Sequence, residues 1–179
     1  PNQIWVKGKH LNLFNQPSLA VIGSRKYSQY GRQVTKKLVS GLVKAGFVII
    51  SGMARGIDSL AHKTALDCNG QTIAVLGSGL GYIYPPENHK LYHKIDLVVS
   101  EYPPNSSPKR HYFLERNRII SGLADGVLII EASERSGTLN TAKHAAEQNK
   151  EVFAVPGPIT SANTKGTTWL INQGAKAVS

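Results

Sequence analysis

Short apolar runs alternate with amphipathic stretches along most of the chain. Leu19-Ala20-Val21-Ile22 ends at Gly23, and Phe47-Val48-Ile49-Ile50, Thr72-Ile73-Ala74-Val75-Leu76 and Leu97-Val98-Val99 repeat the pattern. Val127-Leu128-Ile129-Ile130 and Val152-Phe153-Ala154-Val155 complete six runs too short for helices and rich in β-branched residues, which predicts buried strands. Between the first two, Val34, Leu38 and Leu42 recur at four-residue spacing with lysines elsewhere, predicting a helix that Gly46 stops. Further helices are predicted over 57–66, 115–123 and 138–148, with one more around Trp169-Leu170-Ile171 and a short edge strand at Ala177-Val178. Strands separated by helices of this length form right-handed βαβ units. The expected fold is therefore α/β: a doubly wound, mostly parallel sheet with helices on both faces. Residues 1–18, with Trp5, Leu11, Leu13 and Phe14, read as an arm packed on a core domain spanning 19–179.

At 179 residues the chain suits one domain with a sizeable core. The first residue is Pro1, so the sequence is expected to be a piece of a longer protein. No apolar run approaches the ~20 residues needed to span a bilayer. A signal-peptide pattern is also lacking, and the single cysteine, Cys68, has no partner for an internal disulfide. A reducing cytoplasm is the expected compartment. Lys and Arg number 21 against 11 Asp and Glu, a formal net charge of +10. Ten of the bases and only Asp58 and Asp67 fall in residues 1–86. Such a field attracts polyanions, and the attraction weakens with salt.

In a doubly wound sheet, ligands sit beyond the carboxyl ends of the strands. Those ends carry Gly23-Ser24-Arg25, Ser51-Gly52-Met53-Ala54-Arg55-Gly56, Gly77-Ser78-Gly79 and, after the fifth strand, Ser133-Glu134-Arg135-Ser136-Gly137-Thr138. Small residues admit a ligand to backbone N–H groups, helix N-termini add partial positive charge, and guanidinium forks suit phosphate. The turns describe an anion pocket in which Arg25, Arg55 and backbone N–H groups pin phosphate. Gly23 is not followed by the second and third glycines of a dinucleotide fingerprint, and no Walker loop is present, so neither NAD nor ATP hydrolysis is supported.

Catalytic and metal signatures are weak. Asp58 and His62 share one helix face, an arrangement more often structural. A nucleophile elbow is lacking, and His89 and His93 lack further ligands nearby, so no metal is expected. The segment Lys109-Arg110-His111-Tyr112-Phe113-Leu114-Glu115-Arg116-Asn117-Arg118 interleaves four bases with two aromatics, a composition suited to single-stranded nucleic acid.

Gly23-Ser24-Arg25, Ser51 through Asp58 with His62, Ala74-Val75-Leu76-Gly77 leading to Tyr84-Pro85, Arg116 through Leu123, Ser136-Gly137-Thr138 and Val152 through Gly157 together resemble the DNA-processing protein A family (DprA, also called Smf). The resemblance covers residues 17–178. It implies an extended Rossmann-like domain that binds single-stranded DNA without a nucleotide cofactor. It also implies a homodimer that loads RecA recombinase onto incoming strands during natural transformation. Flanking domains, a small helical one before and a winged-helix-like one after, would lie outside these 179 residues. In the implied pocket Arg25, Arg110 and Phe113 bind the strand, with Lys109 in the same basic segment. Asn117, Arg118, Ser136 and Gly137 fall around that pocket by the strand-end argument.

The alternative is a nucleoside-monophosphate phosphoribohydrolase of the lysine-decarboxylase-like group, whose P-G-G-x-G-T-x-x-E turn compares with the segment ending Arg135-Ser136-Gly137-Thr138-Leu139-Asn140-Thr141. The catalytic Glu position is Thr141 here, and loss of a base has no carboxylate to assist it. A binding protein, not an enzyme, is expected.

Overall fold

A computed structural model describes residues 1–178. Ser179, the last residue of the expected core segment, lies outside the described residues. Eight strands form one sheet: β1 (Trp5–Gly8), β2 (Ser18–Ile22), β3 (Val48–Ser51), β4 (Thr72–Val75), β5 (Leu97–Ser100), β6 (Gly126–Ile129), β7 (Glu151–Ala154) and β8 (Lys176–Ala177). Their spatial order is β1-β5-β4-β3-β2-β6-β7-β8. Neighbours run parallel except β1, which lies antiparallel on β5 with Trp5 opposite Ser100. The helices are α1 (Gln29–Lys44), α2 (Ile57–Asp67), α3 (His89–Tyr92), α4 (Tyr112–Leu123), α5 (Gly137–Glu147) and α6 (Lys165–Asn172). Among the described residues none is long and apolar enough to cross a membrane.

The two faces of the sheet follow strand alternation. Ala20, Ile22, Val48, Ile50, Val127 and Ile129 pack on one side with Ile119 and Ile120 of α4, Ala142 and Ala145 of α5, and Leu170 of α6. Val21, Ile49, Leu128 and Ile130 face the other side, against Val39 of α1 and Ile57, Ala61 and Ala65 of α2. Covering both faces buries β3 to β6 along their whole length, which is why they read as continuous apolar runs.

Within the N-terminal arm, residues 5–8 pair with β5 as an edge strand, a feature the sequence pattern did not predict. Pairing along one side only leaves Val6, Lys7 and Gly8 exposed, so the run carries no buried signature. Of its apolar residues only Leu13 enters the core, while Leu11 and Phe14 stay exposed. Helix α4 starts at Tyr112, not 115, because its N-cap, His111, makes no side-chain cap bond and gives no local start signal.

Candidate functional site

Strand β2 lies between β3 and β6, and the chain's winding direction reverses there. This is the switch point at which open α/β sheets place ligands. A cleft of about 980 Å³ opens beyond those strand ends. Gly23, Ser24 and Arg25 come to it from the end of β2, Arg110, Phe113 and Asn117 from the start of α4, and Ser136 and Gly137 from the start of α5. Lys26 and Arg135 add two more bases, and the acidic side chain in the lining, Asp58, is buried. A larger groove of about 1140 Å³ lies between α5, α6 and β7, but mixes Glu134 and Glu151 with its lysines. Of the two, the switch-point cleft has the one-signed rim, so it is the better site for an anion.

Helical spacing decides which part of the basic segment faces the cleft. Phe113, Arg116, Asn117 and Ile120 recur at i, i+3, i+4 and i+7 and line it together. Arg118 falls off that stripe, and its guanidinium donates to Glu101 instead. Lys109 is likewise outside the lining; its ammonium sits 5.2 Å from the Tyr112 ring centroid. The Phe113 ring rests on Gly77, where a Cβ would come within 2.7 Å of Cδ1, so the bare backbone of the β4 turn seats the ring. Arg25 Cζ lies 6.0 Å from the same centroid, within reach of a cation–π contact.

Arg116 is one of the four bases of the sequence segment, yet it is 3% exposed and presents no free charge to a ligand. Its Nη1 donates to the carbonyls of Gly52 and Val75, tying the loop that follows β3 to the end of β4. Burial lowers its pKa to about 10, opposed by the charge of Asp58. Asp58 accepts from Gly52 N at 3.2 Å. Burial raises its pKa, opposed by Arg116 and by backbone donors.

Asp58 and His62 do not pair. His62 Nδ1 lies 2.6 Å from Thr72 Oγ1, which itself donates to Ile49 O, so the histidine nitrogen is the donor. Its Nε2 is buried without a partner, and burial, helped by Arg116, lowers the His62 pKa to about 3.

The remaining predicted residues of the β3 turn stand outside the cleft. Ser51 is fully buried and donates to Val21 O at 2.6 Å. Gly52 is buried beneath the rim as the clamp point of Arg116 and Asp58. Gly56 has φ 87 and lies against Ser24, whose carbonyl a Cβ would strike at 2.2 Å. Arg55 is bound through two nitrogens to Glu87.

The two helix N-termini at the switch point differ. Ser28 caps α1, and the fully buried Glu131 accepts from Ser28 N at 2.9 Å and from its hydroxyl. A carboxylate thus fills the place where a doubly wound dinucleotide-binding protein holds pyrophosphate. At α5, Ser136 accepts from Thr138 N at 3.1 Å, and Gly137 lies exposed on the cleft. Asn117 secures that turn, donating to Gly137 O and Asn140 Oδ1 at 3.2 Å each.

Sequence reasoning missed Tyr84, Lys26 and Asn163 on the rim. Asn163 reaches across 137 residues to donate to Lys26 O at 3.1 Å, a contact without any local signal. His89 and His93 meet edge to face at 4.6 Å, and among the described residues no metal-holding group of three is formed.

The chain matches the family described as DNA recombination-mediator protein A over residues 1–179. It is 46% identical to Protein Smf of Escherichia coli strain K12 over 98% of its length and 48% of that protein's. The X-ray structure of DNA processing protein A from Streptococcus pneumoniae superposes with a TM-score of 0.93 at 44% identity, covering 98% of this chain and 62% of that one. A Helicobacter pylori DNA processing protein A structure, solved to explain its single-stranded DNA binding mode, gives 0.90 at 34% identity over 99% and 82%. The chain spans about half to two-thirds of the length of the first curated relatives it matches.

Proposed function

The chain belongs to the DNA recombination-mediator protein A family, and from that premise we propose that it binds single-stranded DNA in the switch-point cleft. One observation carries the reading: Arg25, Arg110, Phe113 and the N-terminal turn of α5 face one concavity whose exposed charges are positive. Guanidinium groups and helix N–H groups take the sugar–phosphate chain, and Phe113 takes a base face. The printed subject of the Helicobacter pylori structure, a single-stranded DNA binding mode, supports the same ligand class.

The role is binding, not bond breaking. Thr141 lines the cleft where the phosphoribohydrolase pattern has its glutamate, and the carboxylate in the lining, Asp58, is buried and hydrogen-bonded. The proposal extends to protection of strands in the cytoplasm, to a homodimer that aligns two clefts, and to loading of RecA recombinase in natural transformation. Those three parts are supported by family likeness alone.

The test is a titration with single-stranded and duplex DNA across a range of salt. Arg25→Ala should weaken binding of all sequences alike and flatten the salt dependence by about 0.7 log unit per log salt. Phe113→Ala should lower affinity by roughly 1–3 kcal/mol with the slope retained. Unchanged affinity in both variants would remove the reading.

A further inference from the structure

Beside Phe113 the cleft carries a second aromatic face that the pocket as described leaves unused. The Tyr84 ring lies 5.3 Å from the Phe113 ring, centroid to centroid, at an interplanar angle of 42°. Tyr84 lines the cleft and is 37% exposed, a large fraction for a ring in contact with another. Arg55 Cζ stands 5.7 Å from the Tyr84 ring centroid. Successive contacts thus link four side chains, Arg25 to Phe113, Phe113 to Tyr84 and Tyr84 to Arg55.

The outer cation is occupied in the free protein. Glu87 accepts from both Nε and Nη2 of Arg55, the latter at 3.0 Å, in the fork-to-fork geometry that a phosphate also satisfies. Both side chains are half exposed, at 48% and 53%, so solvent screens the pair. An exposed pair of this kind is weak and exchangeable.

We propose that Tyr84 and Arg55 form a second nucleotide subsite adjoining the Phe113 subsite, with the Glu87 carboxylate standing in the phosphate's place until DNA displaces it. This inference rests on the single-stranded DNA reading above and extends its track by one nucleotide. The ring tilt bears on strand type. Rings inclined at 42° cannot both lie flat on neighbouring bases that stay parallel, as they do in a duplex, so bases stacked on the two rings must leave that stack. The pair of rings therefore favours an unpaired strand.

The probe is an oligothymidylate of about 15 nucleotides, within the known range of single-strand site sizes, titrated in increasing salt. Tyr84→Ala should lose roughly 5- to 150-fold in affinity with the salt slope kept, and Tyr84→Phe should stay within about twofold of the parent. Arg55→Ala should flatten the slope by about 0.7. Glu87→Gln should tighten binding, and that gain should vanish in the Arg55→Ala background. In the parent protein, irradiation with a 5-iodouracil-substituted strand should leave adducts on Tyr84 as well as Phe113, an outcome that a ring serving only as packing would not give. Should Tyr84→Ala fail to fold, the crosslink and Tyr84→Phe decide the matter. Adducts at Phe113 alone, or an Arg55→Ala slope equal to the parent's, overturn the subsite while leaving the Phe113 cleft standing. Loss of the Arg25 and Phe113 effects as well overturns the underlying reading.

Discussion

Replacing Arg116 with methionine separates a structural clamp from a DNA-binding cation. Arg116→Met deletes the guanidinium that serves the carbonyls of Gly52 and Val75 and faces Asp58, and it roughly keeps the aliphatic volume. Two opposing effects set the magnitude. Burial lowers the arginine's pKa to about 10, so holding the cation in place costs on the order of a few kcal/mol, which the substitution relieves. Against this, it strands two buried carbonyls at about 1–3 kcal/mol each and leaves Asp58 as an uncompensated buried charge, typically about 3–5 kcal/mol. The second effect wins, and the expected net loss is about 2–8 kcal/mol in urea unfolding at neutral pH.

Adding Asp58→Asn to Arg116→Met should restore at least ~1 kcal/mol, because the neutral amide still accepts from Gly52 N without a stranded charge. Acidity gives a further check. Without Arg116 the Asp58 pKa in the folded state rises further above its unfolded value. The folded state then binds the extra proton, so the variant's deficit relative to the parent is greatest at high pH and narrows as pH falls toward 4. The folded variant should also keep the parent's salt slope for DNA. A loss below ~1 kcal/mol, no recovery in the double variant, or a slope flattened as for Arg25→Ala would refute the clamp.

Three other expectations are read from buried or crowded positions. His62 is neutral in the fold, with a pKa of about 3, while the unfolded chain binds its proton near pH 6.5. Stability should therefore fall as pH drops through that window, by at most about 1.4 kcal/mol per unit, and urea midpoints of His62→Leu should show a shallower decline. Gly77→Ala puts a methyl 2.7 Å from Phe113 Cδ1 and should displace the ring, lowering single-strand affinity while preserving the salt slope; parental affinity would contradict the seat. Ser28→Ala removes the α1 cap and both a cap acceptor and a hydroxyl donor to buried Glu131, so denaturation should show a loss of about 2–4 kcal/mol, and a loss under ~0.5 would contradict that pairing.

The order of strands and helices was legible because β3 to β6 are covered on both faces and must be apolar throughout. The β1 strand was not, since Val6, Lys7 and Gly8 are exposed and the pairing with β5 is far away in sequence. At the site, turns at strand ends located Gly23, Ser24, Arg25, Ser136 and Gly137 because topology alone brings those ends together. Residue type without orientation was insufficient elsewhere. Arg116 and Arg118 look equivalent in the sequence, yet one is a buried clamp and the other an ion-pair partner of Glu101. A start for α4 at Tyr112 would have added Phe113 to the stripe of Arg116, Asn117 and Ile120, which Arg118 leaves whichever residue starts the helix.

The charge excess acts through where it is left uncancelled. Arg55, Arg118, Lys165 and Lys176 each face a carboxylate, namely Glu87, Glu101, Glu134 and Glu151. Arg25, Lys26, Arg110 and Arg135 line the cleft, and among the described residues no carboxylate approaches any of them within 4.0 Å. Four unpaired cations thus converge on one concave rim, while other unpaired bases, Lys36, Lys37 and Lys44 of α1 among them, are spread over the rest of the surface. Low-dielectric walls focus such a field and raise the local concentration of a polyanion. The same internal pairing shapes ligand class: Glu131 fills the α1 terminus, so anion binding shifts toward α5 and the guanidinium groups, on a rim open to a continuous strand. A carboxylate in the pyrophosphate position and free cations along an adjoining lip together favour the proposed strand over a dinucleotide as the ligand.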